Sequence, residues 1–416
     1  MKILVTNGAY KHTLALVRAL GAAGHSVGVI GHHWAAVSFF SKYCSFRHII
    51  KTNEKGLFVD KLLGILQKER YDVLLPVGLP TVVWIAERAN EIRQFTHLPL
   101  ANVDKIRLFE NKQATYDLSL TLNIPTPLTF FPKDRSDADI CAAKLTPPIV
   151  VKHCKKSGAD YLKYAQTKEE AVQFFENMTA ISDVKFPFSE ENVPKSEIQH
   201  LKSKNTEGAY LDSAFQILAD DRPKYEIRHT KPNVLFQEYL SGGGFGFFCL
   251  YENGIFKQGF AHKRVREFPV SGGSSSCAES IDNETLTHYG KKILEAVDWH
   301  GLAMVEFKMD GNGQPRLLEV NPKLWGSFDL SVAAGVPFAE KWVKLAMNEP
   351  INDHQNYKIG VRFSWLADGD LKSGLETGNF WKILRGPIFE KNTRTNLIWS
   401  DPIASLFLMI RNLFRK

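Results

Sequence analysis

Cysteine is scarce in this chain of 416 residues. There are five, Cys44, Cys141, Cys154, Cys249 and Cys277, at wide spacings and with no C-x-x-C pair. An odd number so spread excludes a disulfide framework and reads as free thiols in a reducing compartment, hence the cytoplasm. Thirteen histidines are present, His32-His33 among them, but no H-E-x-x-H and no His/Cys cluster, so nothing argues for zinc. No apolar run is long enough to span a bilayer. The start, MKILVTNGAY, lacks the apolar region and cleavage site of a signal peptide and reads as a first strand. After that strand a dinucleotide fold needs G-x-G-x-x-G. Here stands Asn7-Gly8-Ala9-Tyr10, with no second glycine, which argues against an NAD enzyme. No internal repeat and no nucleic-acid module is seen. The net charge of +7 therefore does not imply a nucleic-acid partner; it is compatible with an anionic substrate, with an acidic membrane surface, or with neither.

What is there is an ordinary globular composition, 44% hydrophobic and 23% charged, in a chain long enough for two or three domains. Residues 1–105 alternate strand and helix: KILVT, a helix rich in Leu and Ala, SVGVIG, the amphipathic FVDKLLGILQKER, then YDVLLPVG. This alternation predicts a parallel sheet covered by helices, an α/β class. NVDKIRLFENKQATYDLSLTLNIPTP reads as helix, loop, helix and a proline stop. TPPIVVK is a strand ending on Lys152. TKEEAVQFFENM is a helix, and the polar, proline-broken stretch after it, residues 181–210, is expected to be mobile. VLFQEYL is a strand leading into a glycine-rich turn and a further strand, FFCLYENG. NETLTHYGKKILEAV and FAEKWVKLAMN are helices.

Residues 305–322, VEFKMDGNGQPRLLEVNP, raise a question. Asp310-Gly311-Asn312-Gly313 is a strong turn signal, so the flanks form a hairpin. Pairing Asp310 with Pro315 and counting outward sets Glu306 opposite Glu319, with Glu319 and Asn321 on one face. Like charges opposite each other destabilise a sheet. The arrangement is either a solvated face or a shared cation. Two carboxylates and an amide oxygen are hard ligands suited to Mg²⁺ that also holds phosphates.

Three other features accompany that hairpin in chain order. Lys112 opens a helix, Lys152 ends a strand, and VLFQEYLSGGG offers a strand, a polar pair and a flexible turn. Each alone has a plain reading: a solvated lysine, a snorkelling lysine, a tight turn. As a set they suit ATP lying between two sheets, with lysines on its phosphates and strand backbone on adenine.

At this point the sequence resembles the ATP-grasp carboxylate–amine ligases. The resemblance runs from residue 1 to about 347 and is strongest at DKIRLFENK, PPIVVK, VLFQEYLSGG and MVEFKMDGNGQPRLLEVNPKLWGS. It implies a Rossmann-like pre-ATP-grasp domain over 1–105. A two-lobed α+β grasp over 106–347 follows, with a small lobe at about 145–240 and a large lobe at about 241–347. Residues 348–416 are then a C-terminal extension. It implies ATP with Mg²⁺, or Mn²⁺ in its place, as cofactors. Glu306, Glu319 and Asn321 correspond to the metal ligands, Lys112 and Lys152 to phosphate contacts, and Gln237, Glu238, Tyr239 and Leu240 to the adenine hinge.

The sequence departs from that pattern in two places. The acidic residue that bonds ribose in many relatives falls at about Gly244. The glycine-rich phosphate loop is represented by Lys155-Lys156-Ser157-Gly158-Ala159. AHKRVREFPVSGGSSSCAES, residues 261–280, resembles a stretch of predicted ATP-grasp carboligases of glycan and secondary-metabolite pathways. Arg264, with Lys263 and Arg266, precedes a Gly-Ser loop there. A cation near a transferring phosphoryl group stabilises its charge, and Arg266 would hold the substrate carboxylate. The plain alternative is a basic strand edge that deters pairing. Lys323, Trp325 and Ser327 are further substrate-site candidates.

In the tail, ASLFLMIRNLFRK sets Leu406, Phe407, Ile410, Leu413 and Phe414 on one helical stripe. That helix either packs on its own domain or lies at a membrane surface as a peripheral contact. The reading reached is a cytoplasmic ligase that joins a carboxylate to an amine through an acyl phosphate. Its alternatives are a regulatory nucleotide-binding protein without turnover and a ligase with a thiol acceptor.

Overall fold

The computed structural model describes residues 1–155, 161–183, 234–270, 273–352 and 356–413. The polar stretch from residue 184 on, and Lys156 to Ala159 of the phosphate-loop candidate, lie outside the described residues. The chain divides into two compact units. One comprises Met1–Val103, Gly243–Phe307 and Val320–Lys416, the other Asp104–Gly242 and Lys308–Glu319.

The first unit opens with a parallel sheet of four strands, β1 (Lys2–Val5), β2 (Ser26–Gly31), β3 (Cys44–Ile49) and β4 (Val73–Leu75), in the order β3-β2-β1-β4. Ile3 faces Val27 on one side and Val73 on the other. Ile3, Leu4 and Val5 are all fully buried, so both sheet faces are covered, and this is why the strand reads as an unbroken apolar run. The helix Lys11–Ala22 buries Leu14, Leu16, Val17 and Leu20.

A sheet of seven strands follows. Its members are β9 (Gly244–Glu252), β10 (Ile255–Phe268), β11 (Ser274–Ile281), β12 (Gly301–Met309), β13 (Pro315–Asn321), β14 (Arg362–Ser364) and β15 (Thr393–Thr395). They run in the order β13-β12-β9-β10-β11-β14-β15. Residues 348–416 therefore add two strands to this sheet and belong to the first unit. A buried ion pair ties them to the N-terminus: Arg18 Nε bonds Asp401 Oδ2 at 2.8 Å. Removing one partner of such a pair costs about 3–5 kcal/mol, because the other charge stays buried alone.

The last helix, Pro402–Leu413, packs on its own unit. Ala404 and Leu408 are buried against Leu14 and Val37, and Phe407 stacks on Phe40. The expected stripe is thus split. Phe407 points inward, whereas Leu406 and Ile410 are exposed together with Ile403. The Leu413 side chain and Phe414 lie outside the described residues.

The second unit holds an antiparallel sheet of β5 (Thr129–Phe130), β6 (Ile149–His153), β7 (Leu162–Ala165) and β8 (Val234–Glu238), ordered β5-β8-β6-β7. The helices Arg135–Ala143 and Lys168–Asp183 share its core of Ile149, Val151, Val172, Phe175 and Phe236.

Candidate active site

In the second unit the candidate nucleotide residues are built from three neighbouring elements. Asn111 caps the helix Lys112–Thr121, its Oδ1 accepting from the N–H groups of Gln113 and Ala114 at 3.0 and 3.4 Å. The Lys112 N–H donates to the Cys154 carbonyl just past β6, at 3.3 Å. That bond fixes the helix start beside the strand that carries Lys152. Lys112 Nζ lies 3.6 Å from Glu319 Oε2, so a candidate phosphate cation and a candidate metal carboxylate form one ion pair.

Lys152 Nζ donates to Gln237 Oε1 at 2.9 Å, and Gln237 Nε2 donates to Thr129 Oγ1 at 2.9 Å. Gln237 is thus a buried strut that orients Lys152, not a side chain turned to a base. The Glu238 carboxylate also turns back on its own sheet, accepting from the Leu128 N–H at 2.8 Å. Tyr239 is exposed, its ring edge-on to Tyr164 and 5.1 Å from Lys308 Nζ; Leu240 is buried. What the hinge offers a base is therefore backbone and the Tyr239 and Leu240 side chains.

The turn at 310–314 closes tighter than counting from the sequence predicts. The Asp310 N–H donates to the Gln314 carbonyl at 2.9 Å and the Gly313 N–H to the Asp310 carbonyl at 3.0 Å. Gly313 sits at φ +74°, the left-handed residue of a bulged three-residue turn, so Asp310 pairs with Gln314 and not Pro315. Farther along β13, Leu318 and Glu319 are both half-buried between buried Leu317 and Val320. Strict alternation therefore breaks at Glu319.

In the first unit Arg264 is the hub. Its Nη2 bonds Glu306 Oε1 at 2.7 Å, and its Nη1 bonds Glu267 Oε1 at 3.2 Å and the Gly273 carbonyl at 3.4 Å. β10 pairs with β9 on one side and β11 on the other, so Lys263, Arg264 and Arg266 stand on an interior strand, not a basic edge. Gly244 stands at about the place where the resemblance would put a ribose-binding acid. A Cβ there would lie 2.8 Å from Arg264 Cδ, so the arginine occupies the space a side chain would need.

Lys263 Nζ bonds Glu279 Oε1 at 2.8 Å, directly across the β10–β11 ladder. Burial works against the Glu279 carboxylate, yet bonds from Lys263 and Arg362 hold it below its ordinary value. Arg266 turns one edge of its guanidinium, Nε and Nη2, to the fully buried Asp370 carboxylate, with both bonds at 2.7 Å. Ser276 and Ser364 hydroxyls complete that carboxylate's shell. A substrate carboxylate at Arg266 would meet the guanidinium through Nη1, or would have to displace Asp370 from the Nε–Nη2 edge. Asp370 and Glu279 escape a motif reading. Asp370 arrives from 104 residues away, whereas Glu279 becomes legible once the β10–β11 register is counted.

Burial raises every thiol, to about 11 for Cys44 and Cys141 and about 12 for Cys277. Cys249 is raised too. At Cys154 burial wins over Lys112 and Lys155 and the value reaches about 12. None is a thiolate nucleophile at neutral pH.

The chemistry of the donors fits a hard cation. Glu306 and Glu319 are partly exposed carboxylates, each held by a cation of its own unit. Among the described residues no group of three His, Cys, Asp or Glu is gathered as a metal cage. A Mg²⁺ bound through few protein oxygens and completed by phosphate needs no such cage.

Comparison with known proteins bears on this geometry. Residues 230–368 match the family model described as ATP-grasp in the biosynthetic pathway with Ter operon. No curated protein matches the sequence. The biotin carboxylase domain of Hydrogenobacter thermophilus 2-oxoglutarate carboxylase, solved with MgADP, ADP and bicarbonate, superposes with a TM-score of 0.61 at 13% identity. The match covers 87% of this chain and 73% of that one. The chain has the ATP-grasp fold. L-amino acid ligase from Bacillus licheniformis gives a TM-score of 0.61 at 12% identity over 86% of this chain and 78% of that one. N5-carboxyaminoimidazole synthetase from Staphylococcus aureus, complexed with ADP, gives 0.60 at 11% identity over 87% and 80%. No helix among the described residues is long and apolar enough to cross a membrane.

Proposed function

We propose that this ATP-grasp protein is a cytoplasmic ligase that joins a carboxylate to an amine at the expense of ATP. The observation that carries the reading is the pairing of each candidate metal carboxylate with a cation: Glu306 with Arg264 and Glu319 with Lys112. A site poised to receive both a metal and a polyphosphate needs carboxylates and cations together. Binding would exchange partners, the carboxylates turning to the metal and the cations to phosphate oxygens. Glu306, Glu319 and Asn321 would hold Mg²⁺, or Mn²⁺ in its place. When bound, the ion neutralises the β- and γ-phosphates.

The chain's own groups would then work by position and charge. Lys112 and Lys152 hold the phosphates, Lys152 being aimed by Gln237. The hinge backbone after Gln237 takes adenine. A substrate carboxylate oxygen attacks the γ-phosphorus, its bond to the β-phosphoryl oxygen breaks, and ADP leaves. Arg264 meets the charge spread over the transferring group. An amine nitrogen then attacks the acyl carbon, phosphate departs with the C–O electron pair, and the surplus proton passes to solvent. The raised thiols support a route with no covalent enzyme intermediate.

An ADP-release screen over carboxylates paired with amines and, in a parallel set, with thiols, with product masses read by spectrometry, tests this. ADP release that depends on both partners, with an amide product, is expected. Nucleotide binding without ADP release from any pair would favour a regulatory protein, and a thioester product a thiol acceptor.

A further inference from the structure

Eight of the 23 large apolar side chains exposed among the described residues lie between Leu375 and Ile410, a small part of the chain. They are ordered by helix geometry. On the helix Phe380–Phe389, Trp381, Arg385 and Ile388 stand at i, i+4 and i+7, flanked by Lys382 and Phe389, while Ile383 and Gly386 face inward. On the helix Pro402–Leu413, Ile403, Leu406 and Ile410 stand at i, i+3 and i+7, opposite buried Ala404 and Leu408. Trp399, in the connection between the two, is 96% exposed. Each helix thus has an inner face that holds it to its unit and an outer apolar face that the fold does not use. Exposed tryptophan indoles, aliphatic side chains and a phenylalanine on one short span cost free energy in water.

The charges around them are of one dominant sign. Exposed residues of the span include Lys382, Arg385, Lys391 and Arg394, against Glu376 and Glu390. Glu390 is already engaged with Thr393 and Arg362. We infer that the outer faces of these two helices form a docking surface for an anionic lipid membrane. Tryptophan with aliphatic residues enters the headgroup boundary, and neighbouring lysines and arginines meet acidic headgroups. A second copy of the chain is a poorer occupant, since a symmetric contact would bring these cations toward their own counterparts.

The test uses the full chain and co-sedimentation with phosphatidylcholine vesicles, with and without phosphatidylserine. Binding to the anionic vesicles is expected to be about tenfold stronger or more and to weaken as salt is raised. The Phe389→Ala/Trp399→Ala double variant should lose about tenfold on anionic vesicles through lost apolar burial. Lys382→Glu/Arg385→Glu should lose a comparable factor on those vesicles alone. Circular dichroism and ADP binding, unchanged in both variants, control for folding. Equal, weak sedimentation with both vesicle types would overturn the inference. So would concentration-dependent dimerisation in sedimentation velocity that Phe389→Ala/Trp399→Ala abolishes, which would assign the surface to a second copy.

Discussion

Arg264 bonds Glu306 at 2.7 Å from two strands away, passing over β9 where Gly244 stands opposite it. Two strand spacings are about 10 Å, so the arginine and the glutamate must reach toward each other to meet. The side chain must therefore lie flat across the sheet, and a neighbour without a Cβ permits it. In the proposed reaction, a guanidinium stretched in this way beside a candidate metal ligand would meet charge that develops during transfer. Arg264→Ala is expected to lower kcat about a hundredfold while nucleotide affinity changes little, the pattern of a group that acts in the transition state. Steady-state kinetics with a carboxylate found to release ADP, beside calorimetry with ADP, measure both. A wild-type kcat would remove Arg264 from the chemistry.

Gly244 offers an independent route to the same side chain. A methyl at this position would meet Arg264 Cδ at 2.8 Å, and the flexible arginine, not the backbone, must give way. Gly244→Ala should fold with near-normal stability yet displace the guanidinium from Glu306. A fall in kcat of about tenfold or more, part of the loss expected for Arg264→Ala, follows from that displacement. The double variant should be no slower than Arg264→Ala alone. Losses that add in the double variant would show that Gly244 acts by another path.

Gln237 carries the next expectation. It sits in the middle of the bonds Lys152–Gln237–Thr129, each 2.9 Å long. Gln237→Leu keeps the volume and removes the strut. Lys152 then loses its fixed direction and nucleotide affinity should fall about tenfold, near the effect of Lys152→Ala, since one charge-assisted bond is worth about 1.5–3 kcal/mol. Calorimetry with ADP checks this. Equal affinity in Gln237→Leu and wild type would return Gln237 to a purely structural part.

This strut marks the limit of what the sequence makes legible. Lys112 and Lys152 could be placed because an N-cap and a strand end are local signals, and Asn111 and PPIVVK display them. The turn at Asp310–Gly313 is equally local. The role of Gln237 is not, since it depends on which neighbours in the sheet receive an inward side chain. The same holds for β14 and β15. Short strands near a sheet edge have little periodicity of their own, and it is pairing with β11 and β15 that makes Arg362–Ser364 a strand. Asp370 became visible in this way and gave Arg266 a partner no motif could supply.

Arg266 and Asp370 make a prediction about stability. Asp370 is fully buried and Arg266 supplies two of its bonds. Arg266→Ala leaves a buried carboxylate with only serine hydroxyls, and a loss of about 3 kcal/mol or more is expected. Arg266→Ala/Asp370→Asn should recover a large part of it, because the stranded charge is gone. Urea midpoints of the three proteins decide. Arg266→Ala with full stability and a raised KM for the carboxylate would instead support a substrate contact.

Asp329 sets a pH dependence whose sign can be worked out. It is buried, accepts a bond from the Trp365 indole N–H at 3.0 Å, and lies in the field of Arg18, Lys11 and Asp368. Burial is the largest influence and lifts its carboxyl from 3.8 to about 6, against the Trp365 bond and the two cations. Between those values the folded chain keeps a proton that the unfolded chain releases. The contribution to stability is therefore fully present below about pH 4, declines as pH rises, and is lost above about pH 6. At about 1.4 kcal/mol per pH unit it amounts to about 2–3 kcal/mol. Asp329→Asn keeps an oxygen for the indole and removes the titration. The variant should gain about that much at pH 7.5 and show a shallower fall in urea midpoint between pH 4 and 6. A variant no more stable than wild type at pH 7.5, with the same slope over that window, would show that Asp329 ionises in the folded protein at its ordinary value.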